Sequence, residues 1–468
     1  MVVTPAAPGA DATGLPPRQI FKSYDIRGIV DDELTVAHVR AIGQAIGSEA
    51  QDRGRSTIVI ARDGRLSGPP LLAALSMGLI DSGCDVINIG LVPTPLLYFA
   101  TVALGTGSGV MLTGSHNPPQ YNGLKILLNG ETLSGPQITA LYDRLVTRQL
   151  RTGHGTSRED DIRDRYLDRV TGDVRLARPL KVVLDCGNGA TGELAPRLFK
   201  ALGCSVTTLF GEIDGHFPNH HPDPSQPENL RELQKRVIAE GADVGLAFDG
   251  DGDRVAVVAP DGNIIWPDRQ LILFARDVLT RHPNGQILYD VKCSRALDAA
   301  IREAGGRPLM WKTGHSFIKA RIQQGDILLA GEMSGHIFFK ERWYGFDDGL
   351  YAGARLLELL AKSTASTATI FGELPNTVNT PEIQMPVAED PHAIVDLLIA
   401  AAQFPDATMT TIDGLRADFA DGFGLIRASN TTPILVLRFE GNDAAALARI
   451  QSQFRALVHQ VRPALATW

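Results

Sequence analysis

One unit, an apolar strand running through a polar loop into an amphipathic helix, occurs three times in this chain and restricts the fold more than any single motif. Residues 57–61 pass through Arg62, Asp63 and Gly64 into a helix with Leu71, Leu72, Leu75 and Leu79 on one face. Residues 181–185 pass through Cys186, Gly187, Asn188 and Gly189 into a helix carrying Leu194, Leu198 and Leu202, and residues 286–290 lead to one carrying Leu297, Ala300, Ile301 and Ala304. Each helix stops near a glycine, Gly83, Gly203 or Gly305, and a further strand follows. That is the βαβ pattern of a mostly parallel, doubly wound sheet. A chain of 468 residues is too long for one core.

The units share a later feature. Some 40 to 60 residues after the first strand, a second apolar strand ends in an unusual polar loop. These strands are 109–113, 243–248 and 326–330, and their loops are Gly114-Ser115-His116-Asn117-Pro118, Asp249-Gly250-Asp251-Gly252-Asp253-Arg254 and Gly331-Glu332-Met333-Ser334-Gly335-His336. Ligands in open α/β sheets bind at the carboxyl edge of the strands, so three similar domains would each bring one polar loop to a common cleft. The last stretch differs: an alternating strand 424–429, a turn at Asn430-Thr431-Thr432-Pro433, a strand 434–439 and a helix over 443–458 predict a smaller α+β domain with mixed or antiparallel pairing. The expected fold is three similar doubly wound α/β domains with mixed, mostly parallel sheets plus a smaller C-terminal α+β domain, arranged around a central active-site cleft. The boundaries read as a disordered arm 1–17, then domains 18–160, 161–263, 264–375 and 376–468.

The loops carry distinct chemistries. Ser115 lies on a tight loop at a strand's end, where a serine acts as a phosphate carrier if His116 and Lys125 supply charge. Asp249, Asp251 and Asp253 alternate with glycines, so in an extended loop all three carboxylates face one side and call for a cation. Hard oxygens select Mg²⁺, and Arg254 would steady the same phosphate. A calcium loop is excluded because the twelfth position, counted from Asp249, is Pro260 and not a bidentate glutamate. Glu332 and Ser334 suit adjacent sugar hydroxyls, with His336 available for proton transfer. Arg427, Ser429, Asn430 and Thr431 gather phosphate-binding donors around one turn, and Tyr24 and Arg27 are placed to reach an anionic group. The pair His220 and His221 reads as structural, because neighbouring side chains point apart and prolines surround them.

A net charge of -8 gives no basic field for nucleic acid or an anionic membrane. No stretch approaches the roughly 20 apolar residues of a membrane span. Cys84, Cys186, Cys204 and Cys293 are far apart and form no Cys-x-x-Cys pair, so reduced thiols and a cytoplasmic location are expected, with a small molecule as partner and the chain as a monomer. The residues 1–17, rich in Ala, Pro and Gly, lack the basic start and apolar run of a signal peptide.

A nucleophilic serine, an aspartate-bound cation, a hydroxyl-gripping loop and a phosphate clamp together suggest phosphoryl transfer on a sugar phosphate. The motifs Thr-Gly-Ser-His-Asn-Pro, Asp-Gly-Asp-Gly-Asp-Arg, Gly-Glu-Met-Ser-Gly-His and Arg-Ala-Ser-Asn-Thr-Thr-Pro occur in the order found in the α-D-phosphohexomutases, which the chain resembles from Phe21 to its last helix. The resemblance implies reversible interconversion of hexose 1-phosphate and hexose 6-phosphate through a phosphorylated Ser115 and a hexose 1,6-bisphosphate that turns around. It further implies Mg²⁺ on Asp249, Asp251, Asp253 and an oxygen of the Ser115 phosphate, and glucose 1,6-bisphosphate as activator or intermediate. Lys125, His315 and His336 are then candidates for proton transfer or charge stabilisation, with Tyr24, Arg27 and Lys292 lining the cleft. Met333 is what members acting on glucose and mannose phosphates lead one to expect; a phosphoglucosamine mutase and a sugar-phosphate phosphatase are the alternatives, and a sensor without turnover is a third.

Overall fold

The structure is a computed structural model that describes residues 14–430, 432–465 and 468. Of the arm expected at residues 1–17, residues 1–13 lie outside the described residues; Leu15 already packs against the core of the first sheet and Pro16 is buried, so the end of that stretch belongs with the fold.

The first three sheets follow one plan. In each, the first strand of the repeat lies between two parallel neighbours: Thr57–Arg62 between Asp85–Leu91 and Gly109–Leu112, Lys181–Asp185 between Ser205–Leu209 and Val244–Phe248, Gln286–Asp290 between Arg307–Trp311 and Ile327–Gly331. The third strand of each unit then turns back on itself, pairing antiparallel with Tyr121–Leu128, Val255–Val258 or Ile337–Phe339. Gly109–Leu112 and Val244–Phe248 are buried at every position, as strands covered on both faces must be. The helix Gly68–Ser82 ends at Gly83 in the left-handed conformation (φ 98°), a stop that glycine adopts without the Cβ clash. The polar loops predicted from sequence are the connections between these third strands and their return strands, so all sit at the carboxyl edges of their sheets.

The fourth sheet is wholly antiparallel: Ile434–Gly441 pairs with Val378–Asn379 and Ile383–Pro386 on one side and Gly422–Ala428 on the other, followed by Leu415–Phe419 and Ala407–Thr410. Helices Pro391–Ala401 and Ala444–Val461 pack against it.

Apolar side chains from the first three sheets form one continuous core. Phe99 from the first unit packs on Tyr166 (5.5 Å between ring centroids) and Trp343 (6.2 Å), and Trp343 stacks on Tyr351 at 4.1 Å. Leu198 and Phe199 of the second and Leu271 and Phe339 of the third belong to the same cluster. The fourth sheet has its own core around Phe439 and Phe454. Along Gly422–Ala428 the side chains divide by strand alternation: Ile426 and Ala428 enter that core, whereas Phe423 and Leu425 meet Val291 of the third unit.

Candidate active site

Ser115 stands in the left-handed region (φ 48°), uncommon for a residue other than glycine, and is 4% exposed. The loop around it is held in this shape by neighbours. Thr113 Oγ1 donates to Asp63 (2.8 Å) and accepts from the Ser115 amide (2.7 Å). The Arg65 guanidinium, fully buried, donates to the carbonyls of Ser115 (2.9 Å), Asn117 (2.6 Å), Pro118 (2.6 Å) and Tyr121 (3.0 Å), while Asp63 pairs with its Nε at 3.1 Å. The sequence reading named neither Asp63 nor Arg65 as functional. Their position just past the first strand, the edge where loops carry ligands, was the available signal; their partners lie about 50 residues away and are not readable from spacing.

The acidic loop meets the serine loop directly. Ser115 Oγ donates to Asp249 Oδ2 at 2.9 Å and lies 3.3 Å from His116 Nδ1. A Cβ on Gly250 would come within 2.4 Å of the Ser115 carbonyl oxygen, so only glycine permits this approach. The extended loop expected at 249–254 is instead a turn with Gly252 at φ 75°, and the turn is what gathers the three carboxylates within 4.8 Å of one another. Lys125, expected beside the serine, donates to Asp251 Oδ2 (2.7 Å) and Asp253 Oδ2 instead. The reason is charge: burial works against the ammonium, and the two carboxylates hold it cationic, above its ordinary range. Burial pushes the Asp249 carboxyl up to about 7.

The donor set fits a hard divalent cation. It is made of carboxylate oxygens, and Asp251 Oδ1 and Asp253 Oδ1 are buried without a hydrogen-bond partner among the described residues. Arg254 pairs with Asp249 (3.0 Å) and Asp223 (3.2 Å), while its Nη2 is likewise buried without a partner, a donor that suits an anionic oxygen.

From the third sheet, Glu332 accepts from the Gly314 amide at 2.6 Å and lies 3.0 Å from His336 Nδ1; Ser334 Oγ is 2.9 Å from the same nitrogen. His336 Nε2 is 3.4 Å from Asp253. Burial alone would lower the His336 pKa, but Asp253 and Glu332 raise it to about 10, so this ring is a cation. His315 lies alongside, its ring 5.5 Å from that of His336. Burial and then the Lys319 ammonium push it well below the usual histidine range.

From the fourth sheet, Arg427 pairs with Asp413 at 3.0 Å, and Ser429 Oγ is 3.0 Å from Thr432 Oγ1. Asn430 donates to the hydroxyl of Tyr24, which donates to the Thr313 carbonyl at 3.1 Å. Thr431 lies outside the described residues. Arg27 donates to Asn117 at 2.6 Å, and Lys292 pairs with Glu382 at 2.9 Å. His220, read as structural, holds Asp185 at 3.1 Å in the second unit. Asp413, Glu382 and Asp223 were not foreseen; each is a lone acid in sequence that gains meaning only through its basic partner.

Three α/β/α units that send polar loops to one centre, met there by an antiparallel fourth, define a multidomain α/β enzyme. Four descriptions in one family cover nearly the whole chain: phosphoglucomutase/phosphomannomutase alpha/beta/alpha domain I over residues 18–151, domain II over 164–262, domain III over 266–378 and the C-terminal domain over 382–457. The chain belongs to the phosphoglucomutase/phosphomannomutase family of α-D-phosphohexomutases. It is 54% identical over 440 residues to a phosphomannomutase/phosphoglucomutase of Pseudomonas aeruginosa, covering 94% of this chain and 95% of that one. It is 53% identical to a phosphoglucomutase of Neisseria gonorrhoeae, covering 94% and 97%. The crystal structure of a phosphoglucomutase/phosphomannomutase family protein from Burkholderia thailandensis superposes with a TM-score of 0.92 at 53% identity, over 96% of this chain and 99% of that one.

Proposed function

We propose that this chain is a phosphoglucomutase/phosphomannomutase that interconverts hexose 1-phosphates and hexose 6-phosphates of glucose and mannose, with Ser115 as its phosphoryl carrier. The observation that carries the assignment of the serine is its hydroxyl 2.9 Å from Asp249, inside a cluster whose remaining oxygens suit a cation. Asp249, Asp251 and Asp253 would hold Mg²⁺, joined by an oxygen of the Ser115 phosphate. When bound, the ion neutralises phosphoryl charge during transfer.

In the forward half-reaction the bond from Ser115 Oγ to phosphorus breaks as the bond from the free sugar hydroxyl forms, and the hydroxyl's proton ends on Ser115 Oγ. The resulting hexose 1,6-bisphosphate, glucose 1,6-bisphosphate for the glucose substrates, turns around and returns its other phosphoryl group by the reverse step. Arg254, Lys125 and His336 are cations around the transferring group. Glu332 and Ser334 grip ring hydroxyls, Arg427, Ser429, Asn430 and Thr431 hold the phosphate that is not reacting, and Tyr24, Arg27 and Lys292 line the cleft. These roles follow the boundaries 18–160, 161–263, 264–375 and 376–468, which we propose as the four domains. Among the described residues no helix is long and apolar enough to cross a membrane.

The test is incubation with glucose 1-phosphate and Mg²⁺, then with mannose 1-phosphate. Formation of the 6-phosphates, and an intact mass carrying one phosphate that Ser115→Ala lacks, is the expected result. Free phosphate without isomerisation would make the protein a phosphatase, and neither product would make it a binding protein.

A further inference from the structure

Lys319 is buried between the first and third units and has no part in the chemistry above. It lies one helical turn after His315 on the helix His315–Gln323. Its ammonium is 2.9 Å from the Tyr98 hydroxyl of the first unit, 2.7 Å from Asp347 Oδ1 and 3.1 Å from His315 Nδ1, and it lies 4.2 Å from the centroid of the Tyr98 ring. A lysine ammonium has three protons and no lone pair. Three acceptors surround it here, so each proton has one destination.

That count fixes the histidine. An ammonium donating to Nδ1 requires a lone pair there, so the ring proton must be on Nε2. The competing arrangement, Nδ1–H directed at Asp347 Oδ2, spans 3.5 Å, is too long for a sound hydrogen bond and would set an N–H against the ammonium. Asp347 Oδ2 is in fact buried without a hydrogen-bond partner among the described residues. It is the acceptor to which Nδ1–H would turn if the lysine were absent. Charged and titratable groups face His315 from several elements: Lys319 on its own helix, Lys125 from the first sheet, Asp253 from the second, and His336 and Asp347 from the third unit. The Lys319 ammonium, 3.1 Å from Nδ1, opposes protonation of the ring at that nitrogen.

We propose that Lys319 is a positioning residue that locks His315 as the Nε2–H tautomer, so that His315 meets the sugar phosphate as a hydrogen-bond donor and not as a base. The proposal rests on reading this cleft as the hexose phosphate site, but its physical claim concerns a tautomer that is measurable without turnover.

The experiment is nitrogen NMR of the full-length protein labelled with ¹⁵N-histidine, with the His315 signals identified by their loss in His315→Gln. In the unmodified protein Nε2 should carry the proton and Nδ1 should not; a protonated Nδ1 overturns the proposal without recourse to any variant. In Lys319→Met the proton should move to Nδ1, toward Asp347, and kcat should fall on the order of 10 to 100-fold with KM little changed, the scale on which loss of a group orienting a functional histidine acts. Lys319→Arg, which keeps a donor, should retain the Nε2–H signature. A Lys319→Met protein with the original tautomer would show that the lysine is only structural. Absence of mutase turnover in the unmodified protein, with the expected tautomer present, would remove the functional reading and leave the lock standing.

Discussion

The junction among the first three sheets and the junction between the third and fourth are built from different materials. The former is a continuous apolar core in which Phe99, Tyr166, Trp343 and Tyr351 interleave. In the latter the apolar patch is small, Phe423 and Leu425 against Val291 with Met310 and Ile412 packed beside them, and polar contacts accompany it: Arg416 donates to the carbonyls of Val291 (2.6 Å) and Cys293 (2.8 Å), Arg295 to that of Phe419 (3.0 Å), and Lys292 pairs with Glu382. Large apolar interfaces fix relative position, whereas polar ones of limited area permit motion. The serine and acidic loops, which must hold atoms to a few tenths of an ångström, sit in the fused block. The arginine turn, which on the proposed function would accept either end of a reorienting bisphosphate, sits on the part attached by exchangeable hydrogen bonds.

The sharpest test of this division is Ser115→Ala, which should lower kcat by about 10³-fold or more, as loss of a covalent carrier does, while glucose 1-phosphate still binds. Calorimetric titration would detect that retained binding; its disappearance would place affinity in the block and erase the contrast. Phe99→Ala should come next, destabilising the three-sheet block by about 3 to 5 kcal/mol in a single cooperative transition. A split transition confined to the first unit would mean that the core is less continuous than its contacts imply. Arg416→Met should cost about 1 to 3 kcal/mol, from the two carbonyls left without a donor, and should expose the connection near residues 375–382 to protease while the block stays intact. Equal protease resistance in mutant and parent would argue against a separable fourth unit. Arg427→Ala should weaken glucose 1-phosphate and glucose 6-phosphate alike, by about 10 to 200-fold, with Ser115 still phosphorylated. Loss for one monophosphate alone would rule out a single clamp serving both half-reactions.

The smallest effect is expected inside the block, at His220. Burial lowers its pKa, but the contact with Asp185 more than offsets this and raises it above the ordinary value. A histidine whose folded pKa is raised adds stability that is complete below its unfolded value, about 6.5, and fades as pH rises through the folded value. His220→Gln should thus lower the melting temperature most in mildly acidic buffer and least near pH 9; a constant difference across that range would deny the charge any role.

The same contrast explains what was readable in the sequence. The repeat, its glycine stops and the loops at strand ends are local patterns, and they led to the sheets, their order of chemistry and the acidic loop. The antiparallel return strands after each loop were not read from the sequence. What was not readable depended on distant partners. Lys125 looked like a companion of Ser115 because it is ten residues away, yet two carboxylates more than 120 residues on claim its ammonium. Arg65 reads as one basic residue among many until four carbonyls of the serine loop close around it. The turn at Gly252 replaced an extended loop because the carboxylates must converge, a demand that alternation with glycine allows without specifying.

Tyr24 belongs to the first unit, receives a hydrogen bond from Asn430 of the fourth and gives its own to the Thr313 carbonyl of the third. A phenol has a single proton, so this relay has a direction, and it is complete only when all three units are in register. Burial raises the Tyr24 pKa, which keeps that proton in place across the physiological range. Tyr24 is therefore a coincidence detector in the literal sense: one hydroxyl whose bonding state records whether the fourth unit has met the fused first and third, and whose vibration or fluorescence would register assembly of the cleft without any substrate present.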